Sequence, residues 1–296
     1  MKREHSGVWT CDDATELYGI KYWGNGYFDI SEKGEVRARL RNANNIETSI
    51  SLLDVATGLK ERGFTLPILL RFSNILDSRI SLINESFRKA IADAGYRGTY
   101  RGVFPIKVNQ QQQVIEEVTR FGRRYHHGLE AGSKAEMIAA LAYMDDPDAF
   151  IVCNGYKDEE FTDLALYALK MGIKTIIVVE MPGELPMILD RAARMGVSPI
   201  IGMRVKLSTR AGGHWTDSGG DRSVFGLNTS QVIDVVDELR RRGMLNCLQM
   251  LHYHLGSQIP NITHIRTAIT EAARFYIDLV KEGAAMGIIN IGGGLA

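Results

Sequence analysis

Three consecutive stretches decide the fold: KTIIVVE (Lys174–Glu180), a helical stretch from Gly183 to Met195, and PIIGMRVKL (Pro199–Leu207). The two outer runs are short, apolar and β-branched, which suits strands buried on both faces. The stretch between them is long enough for a crossover helix. Strand, helix and strand in this order form a βαβ unit, and its two strands run parallel.

The same alternation extends in both directions. Before this unit lie GVFPIKV (Gly102–Val108), RYHHGLE (Arg124–Glu130) and AFIVCN (Ala149–Asn154); after it lie LQMLHYHL (Leu248–Leu255) and IINIG (Ile288–Gly292). Helical patterns fill the intervals at Gln111–Phe121, Ser133–Met144, Asp158–Met171, Thr229–Arg242 and Ile262–Met286. The expectation is an α/β fold, an incomplete (β/α)8 barrel with seven strands, because a closed barrel needs an eighth. Seven strands leave two open edges, so the chain is expected to be a piece of a longer protein, ending after its seventh barrel strand. Residues 96–296 form the barrel region and residues 1–95 a separate N-terminal segment contributing to a second, β-rich domain. In that segment YGIKYWGNGYFDISEKGEV suggests one or two short strands around a turn at Gly24–Gly26. Thr48–Arg62 reads as a helix, PILLRF (Pro67–Phe72) as a strand and Leu76–Ala94 as a helix.

Composition bounds the function. Of 296 residues, 45% are apolar and 24% charged, and 35 basic residues balance 35 acidic ones. That is a globular chain without the basic excess of a nucleic-acid binder. No apolar run approaches the roughly 20 residues that span a bilayer, and Met1–Asp13 has no secretory h-region. Cys11, Cys153 and Cys247 are far apart and form no metal or redox spacing. A cytoplasmic protein with no membrane partner is expected.

Four segments carry chemistry, all at the C-terminal ends of predicted strands, where barrels place their active sites. Lys107 ends the first strand; flanked by Ile106 and Val108, it is expected to be partly desolvated and so a nucleophilic amine. A lysine snorkelling out of a strand end is the alternative. Glu130 ends the second strand. Ser133 and Glu136 follow it at capping-box spacing, which by itself explains both. His252 and His254 share one side of the sixth strand; they suit either a metal or a flat cofactor ring, but no third metal ligand is evident. Gly256 and Ser257 suit an anion. Gly292, Gly293 and Gly294 follow the seventh strand, as a phosphate loop does, or as a plain flexible tail would. An amine, a carboxylate, an imidazole and a phosphate loop in one mouth fit pyridoxal 5′-phosphate (PLP).

The segments YGIKYWGNGYFDI, VFPIKVNQ, GLEAGSKAE, IVCNGYKD, TDSGGDRSVFGL, LHYHLGSQ and IGGGL span nearly the whole chain. In these the sequence resembles the fold-type III PLP-dependent decarboxylases, most closely their biosynthetic arginine branch. The resemblance implies that Lys107 holds PLP as an internal aldimine and that His254 stacks on its ring. It implies that Ser257 and Gly292 to Gly294 bind the phosphate, within a loop that includes Asn290, Ile291 and Leu295. Glu130, Glu136 and Arg204 match positions near the cofactor, Arg204 being equally explicable as a strand-end ion-pair partner. L-arginine would form an external aldimine, lose CO2 and leave as agmatine, a polyamine precursor. Magnesium is associated with the family, although the sequence offers no site for it, and relatives imply a homo-oligomer.

Asn290 stands where the family usually has Asp, and Ala296 stands where its GGGLG run continues. The family's glutamate for the pyridine nitrogen, on the eighth strand, and its C-terminal β-domain have no counterpart, so this chain alone is expected to be inactive. A non-catalytic PLP-binding or regulatory homologue, an ornithine or diaminopimelate decarboxylase, and an amino-acid racemase are the competing readings.

Overall fold

The computed structural model describes residues 8–41, 47–209 and 223–294. Leu295 and residues 216–222 of TDSGGDRSVFGL lie outside the described residues. The chain divides into two compact units, Met1–Ser86 and Phe87–Ala296.

The first unit begins with α1 (Cys11–Leu17), α2 (Ile20–Trp23) and the antiparallel strands β1 (Phe28–Ile30), β2 (Val36–Arg41) and β3 (Glu47–Ser51), in the order β1-β2-β3. These are followed by α3 (Leu52–Glu61) and α4 (Ser73–Asp93), within which the division between units falls. Gly24–Gly26 links α2 to β1, and the β1–β2 hairpin turns instead at residues 31–35, where Ser31 N–H donates to the Glu35 carbonyl. The strand VRARLR of β2 is held by cross-strand charge: Arg37 pairs with Asp29, and Arg39 with Glu47. The helix expected over Thr48–Arg62 starts only at Leu52, because Thr48–Ser51 pairs with Leu40, Arg39, Ala38 and Arg37 of β2. Ser51, whose hydroxyl accepts the Asp54 N–H, caps that helix. PILLRF is not a strand: Pro67–Phe72 is irregular, with Leu69 exposed. An apolar run without a pairing partner carries no strand information by itself.

The second unit contains the seven expected strands in sequential parallel order. They are β4 (Val103–Pro105), β5 (Gly128–Ala131), β6 (Phe150–Cys153), β7 (Lys174–Val179), β8 (Ile200–Arg204), β9 (Leu248–His252) and β10 (Ile288–Asn290). The intervening helices are α5 (Gln112–Gly122), α6 (Lys134–Tyr143), α7 (Glu159–Lys170), α8 (Glu184–Met195), α9 (Thr229–Arg241) and α10 (Ile262–Lys281). Each crossover helix buries a stripe at helical spacing, such as Leu185, Ile188, Leu189 and Ala192 of α8. Side-chain caps start several of them: Asp158 accepts from Phe161 N–H, and Asn228 with Gln231 forms a full capping box. α10 stops at Lys281, short of the expected Met286, because Gly283 adopts a φ of 94°.

One cluster shows that the sheet is curled. Val152, Ile176, Val178 and Met250 pack together, and Val103 and Ile288, from the two edge strands, pack against the same group. Edge strands six positions apart in the strand order reach one cluster only if the inner face closes around it. The cluster also fixes parity: Val152, Val178 and Met250 face inward, so the next inward positions along these strands are 154, 180 and 252.

Candidate active site

Lys107 sits just past β4, in a single 3-10 turn over Ile106–Val108. That turn changes the environment expected from sequence. Ile106 folds into the core at 2% exposure, while Val108 is 68% exposed and the Lys107 side chain 65% exposed. Lys107 is therefore not desolvated by its apolar neighbours. Its Nζ lies 3.4 Å from Oε1 of Glu130, which is only 17% exposed at the end of β5. Lys157, past the end of β6, is committed elsewhere. Only 1% exposed in its side chain, it donates from Nζ to the Gly155 carbonyl and pairs with Glu184 at 3.3 Å.

On the far side of the mouth, Arg204 at the end of β8 donates from Nη1 to Oε1 of Glu180 at 2.7 Å. Glu180 is fully buried, and its second oxygen accepts the Gly155 N–H at 2.8 Å. Its own backbone N–H donates to Glu184. Arg204, Glu180, Gly155, Glu184 and Lys157 thus form one buried polar network that fixes the ends of β6, β7 and β8. Glu180 carries no role in the sequence reading. The signal for it was present: parity puts it inward, two residues beyond Val178.

His254 follows β9. Burial, then the positive charges of Arg204 and Lys107, lower its pKa to about 4, against an opposing pull from Glu180. It is neutral at pH 7. His252 is buried more deeply. Burial above all, then the charges of Arg204 and His254, lower its pKa to about 3. Its Nδ1 lies 3.3 Å from the Asn290 carbonyl. A carbonyl only accepts, so Nδ1 carries the proton. His252 thus links the ends of β9 and β10.

The loops after β9 and β10 approach so closely that only glycine fits. A Cβ on Gly292 would lie 2.6 Å from the Tyr253 carbonyl oxygen and 3.0 Å from His254 Nδ1; one on Gly294 would lie 1.9 Å from the Gly256 carbonyl oxygen and 3.1 Å from Ser257 Cα. Gly293 borders open space. Asn290 shapes the turn: its Oδ1 accepts the Gly292 N–H at 2.9 Å. Ser257 is exposed beside Gly294 and Ile291 is half-buried.

Most of the expected residues therefore converge: Lys107, Glu130, Arg204, His254, Ser257 and Gly292 to Gly294. Glu136 is engaged beside them, past the end of β5. Its carboxylate accepts the Gly132 N–H at 2.7 Å and the Gln110 side-chain amide at 3.3 Å. The capping box is modified accordingly: Ser133 accepts from Glu136 N–H, and the glutamate reaches one residue beyond the cap.

Among the described residues, His126, Asp146 and Asp148 bring three potential metal-ligand atoms within 4.8 Å of one another. They precede β5 and β6, at the opposite end of the sheet, and Lys174 Nζ already holds Asp148 at 2.6 Å. No described helix is long and apolar enough to cross a membrane.

The arrangement fits PLP. It offers an accessible primary amine, an uncharged flat imidazole, an arginine fixed by a buried glutamate, and a backbone cradle that a single Cβ would fill.

Known proteins agree. The chain is 45% identical over 288 residues to a biosynthetic arginine decarboxylase of Gloeobacter violaceus, covering 97% of this chain and 44% of that protein. The enzyme of the same name from Rhodopirellula baltica is 48% identical over 287 residues, covering 97% and 42%. Among solved structures, the biosynthetic arginine decarboxylase of Campylobacter jejuni superposes with a TM-score of 0.83 at 36% identity, over 94% of this chain and 45% of that one. The chain spans less than half the length of these relatives. Residues 80–296 match the family described as pyridoxal-dependent decarboxylase, pyridoxal binding domain. The chain belongs to the family of pyridoxal-dependent decarboxylases.

Proposed function

We propose that the protein holds pyridoxal 5′-phosphate at Lys107 and serves the decarboxylation of L-arginine to agmatine and CO2. The observation that carries this reading is the Lys107–Glu130 pair in a mouth it shares with a neutral His254 and a glycine cradle. Arginine as substrate is supported by the names of the relatives that match 97% of the chain.

Lys107 is the reactive amine, because Lys157 is buried and bound to Glu184 and the Gly155 carbonyl. Glu130 holds the Lys107 ammonium and takes a proton from Nζ when the free amine must act as nucleophile. Gly292, Gly293, Gly294 and Ser257 hold the phosphate, where the absence of side chains lets backbone N–H groups approach an anion. Asn290 and Ile291 support that loop. His254 offers a flat, uncharged face to the ring. Arg204, anchored by Glu180, is a fixed cation for an anionic oxygen, and Glu136 keeps the Gly132 turn in place. Bound there, PLP supplies an aldehyde for a primary amine and a conjugated ring that accepts the electron pair left by departing CO2. Residues 96–296 are the cofactor-binding part, and residues 1–95 contribute to a second domain. The full-length protein acts in the cytoplasm as a homo-oligomer.

Borohydride reduction of PLP-loaded protein followed by peptide mapping tests the assignment. The pyridoxyl group is expected on the peptide containing Lys107; a label on Lys157, or no label, overturns it. Product analysis of the full-length protein with L-arginine, L-ornithine and diaminopimelate then tests the substrate. Agmatine is expected, and turnover of ornithine or diaminopimelate in preference to arginine overturns the arginine reading.

A further inference from the structure

Asn154 sits one residue past β6, and its backbone N–H still donates to the Ala131 carbonyl at 3.0 Å, continuing the β5–β6 ladder. Strand alternation therefore holds through this position. Val152 belongs to the cluster on the inner face, so the Asn154 side chain, two residues on, points into the mouth. Asn154 is 6% exposed, and its Oδ1 is buried without a hydrogen-bond partner. Nearly all buried polar atoms are paired, and one left unpaired is a standing cost to the fold. An acceptor left open at this depth, in a mouth where Glu180, Arg204 and Lys157 are already paired, is a vacant ligand contact.

The surroundings say which chemistry fills it. The mouth is divided by charge. Strands β5, β6 and β7 end in the side-chain acceptors Glu130, Asn154 and Glu180. Strands β8, β9 and β10 end in Arg204, His254 and the glycine cradle, which suit an anion. Glu180 is saturated by Arg204 and the Gly155 N–H, whereas Glu130 faces an ammonium, that of Lys107. A cationic donor suits this acceptor side, and the α-ammonium of an amino acid is such a group.

We propose that Asn154 is a substrate-binding residue whose Oδ1 accepts a hydrogen bond from the α-ammonium of the incoming amino acid. The inference rests on the mouth being an amino-acid site, as argued above, and it deepens that reading by naming a contact that the sequence motifs did not assign. Asn154 holds the visiting amine on the side of the mouth where Lys107 and Glu130 wait, and it does so without adding charge.

The test needs no turnover and no cofactor. Binding of L-arginine and of its α-deamino analogue, 5-guanidinopentanoate, is measured by calorimetry on the cofactor-free protein and on its Asn154→Leu and Asn154→Asp variants. Asn154→Leu is expected to weaken L-arginine roughly tenfold or more, the size of one hydrogen bond to a charged donor. The deamino analogue, lacking the ammonium, should change less than about twofold. Asn154→Asp keeps the acceptor and should retain or tighten L-arginine binding. Thermal melting separates a structural role. Replacing an unsatisfied buried amide by leucine should leave Tm unchanged or raise it, whereas a scaffold amide would lower it. Equal losses for both ligands, no loss for either, or a fall in Tm with unchanged binding overturns the proposal; no loss for either is the result of an acceptor satisfied by water alone, and the fall in Tm that of a scaffold amide. Because these titrations omit PLP, they read Asn154 independently of whether borohydride labels Lys107.

Discussion

Replacing Glu180 by leucine is the sharpest test of how the mouth is held together. The wild-type side chain is fully buried and uses both oxygens, one on Arg204 at 2.7 Å and one on the Gly155 N–H at 2.8 Å. Leucine leaves a guanidinium, itself only 13% exposed, without its counter-charge, and a backbone N–H without its acceptor. Breaking a buried pair from one side costs about 3–5 kcal/mol, because the surviving charge stays in a poor solvent. Removing both partners costs far less, since the desolvation penalty disappears with the attraction. Glu180→Leu is therefore expected to lower stability by about 3–5 kcal/mol, or roughly 6–20 °C in Tm for a chain of this size. Glu180→Leu combined with Arg204→Met should recover most of that loss. Urea and thermal melts of the two single variants and the double variant at pH 7 supply the full cycle. A single variant within about 1 kcal/mol of wild type, or a double variant as unstable as the two singles summed, refutes a buried network as the frame of the site.

Two further predictions concern the buried histidines and the glycine cradle. His252, His254 and His127 have folded pKa values of about 3, 4 and 4, lowered chiefly by burial, below the ordinary value of 6.5. Between pH 4 and 6.5 the unfolded chain binds more protons than the folded one, so stability is complete above pH 6.5 and is lost as pH falls, by up to about 1.4 kcal/mol per pH unit for each histidine. Urea midpoints at pH 7 and pH 5 check this: equal midpoints contradict it, and His252→Asn should flatten the dependence. At the glycine cradle, Gly294→Ala places a Cβ 1.9 Å from the Gly256 carbonyl on a backbone with φ of 85°. It should abolish PLP binding with little change in circular dichroism. Gly293→Ala, which meets nothing within 4 Å, should be tolerated for folding, and equal effects of the two on PLP affinity would contradict the cradle.

What sequence alone determined is the part of the molecule written in local periodicity. Short β-branched runs such as KTIIVVE specify buried parallel strands because nothing else buries both faces of so short a segment. The amphipathic stretches between them specify crossover helices, and the seven strands lie where the runs predict. Lys107, Glu130, His254 and the triple glycine were legible because strand ends in such a fold share one mouth. Tertiary structure alone decided the rest, since each such feature depends on a partner distant in the chain. VRARLR becomes a strand through pairing with Asp29 and Glu47, and PILLRF, without a partner, does not. Lys107 is exposed because a 3-10 turn sends Ile106 inward and its neighbours outward. Glu180 finds Arg204 on the next strand, and Asn154 is buried with its acceptor unfilled. Periodicity states which face a residue occupies; only the packed fold states what lies opposite it, and burial with a partner or without one sets the chemistry.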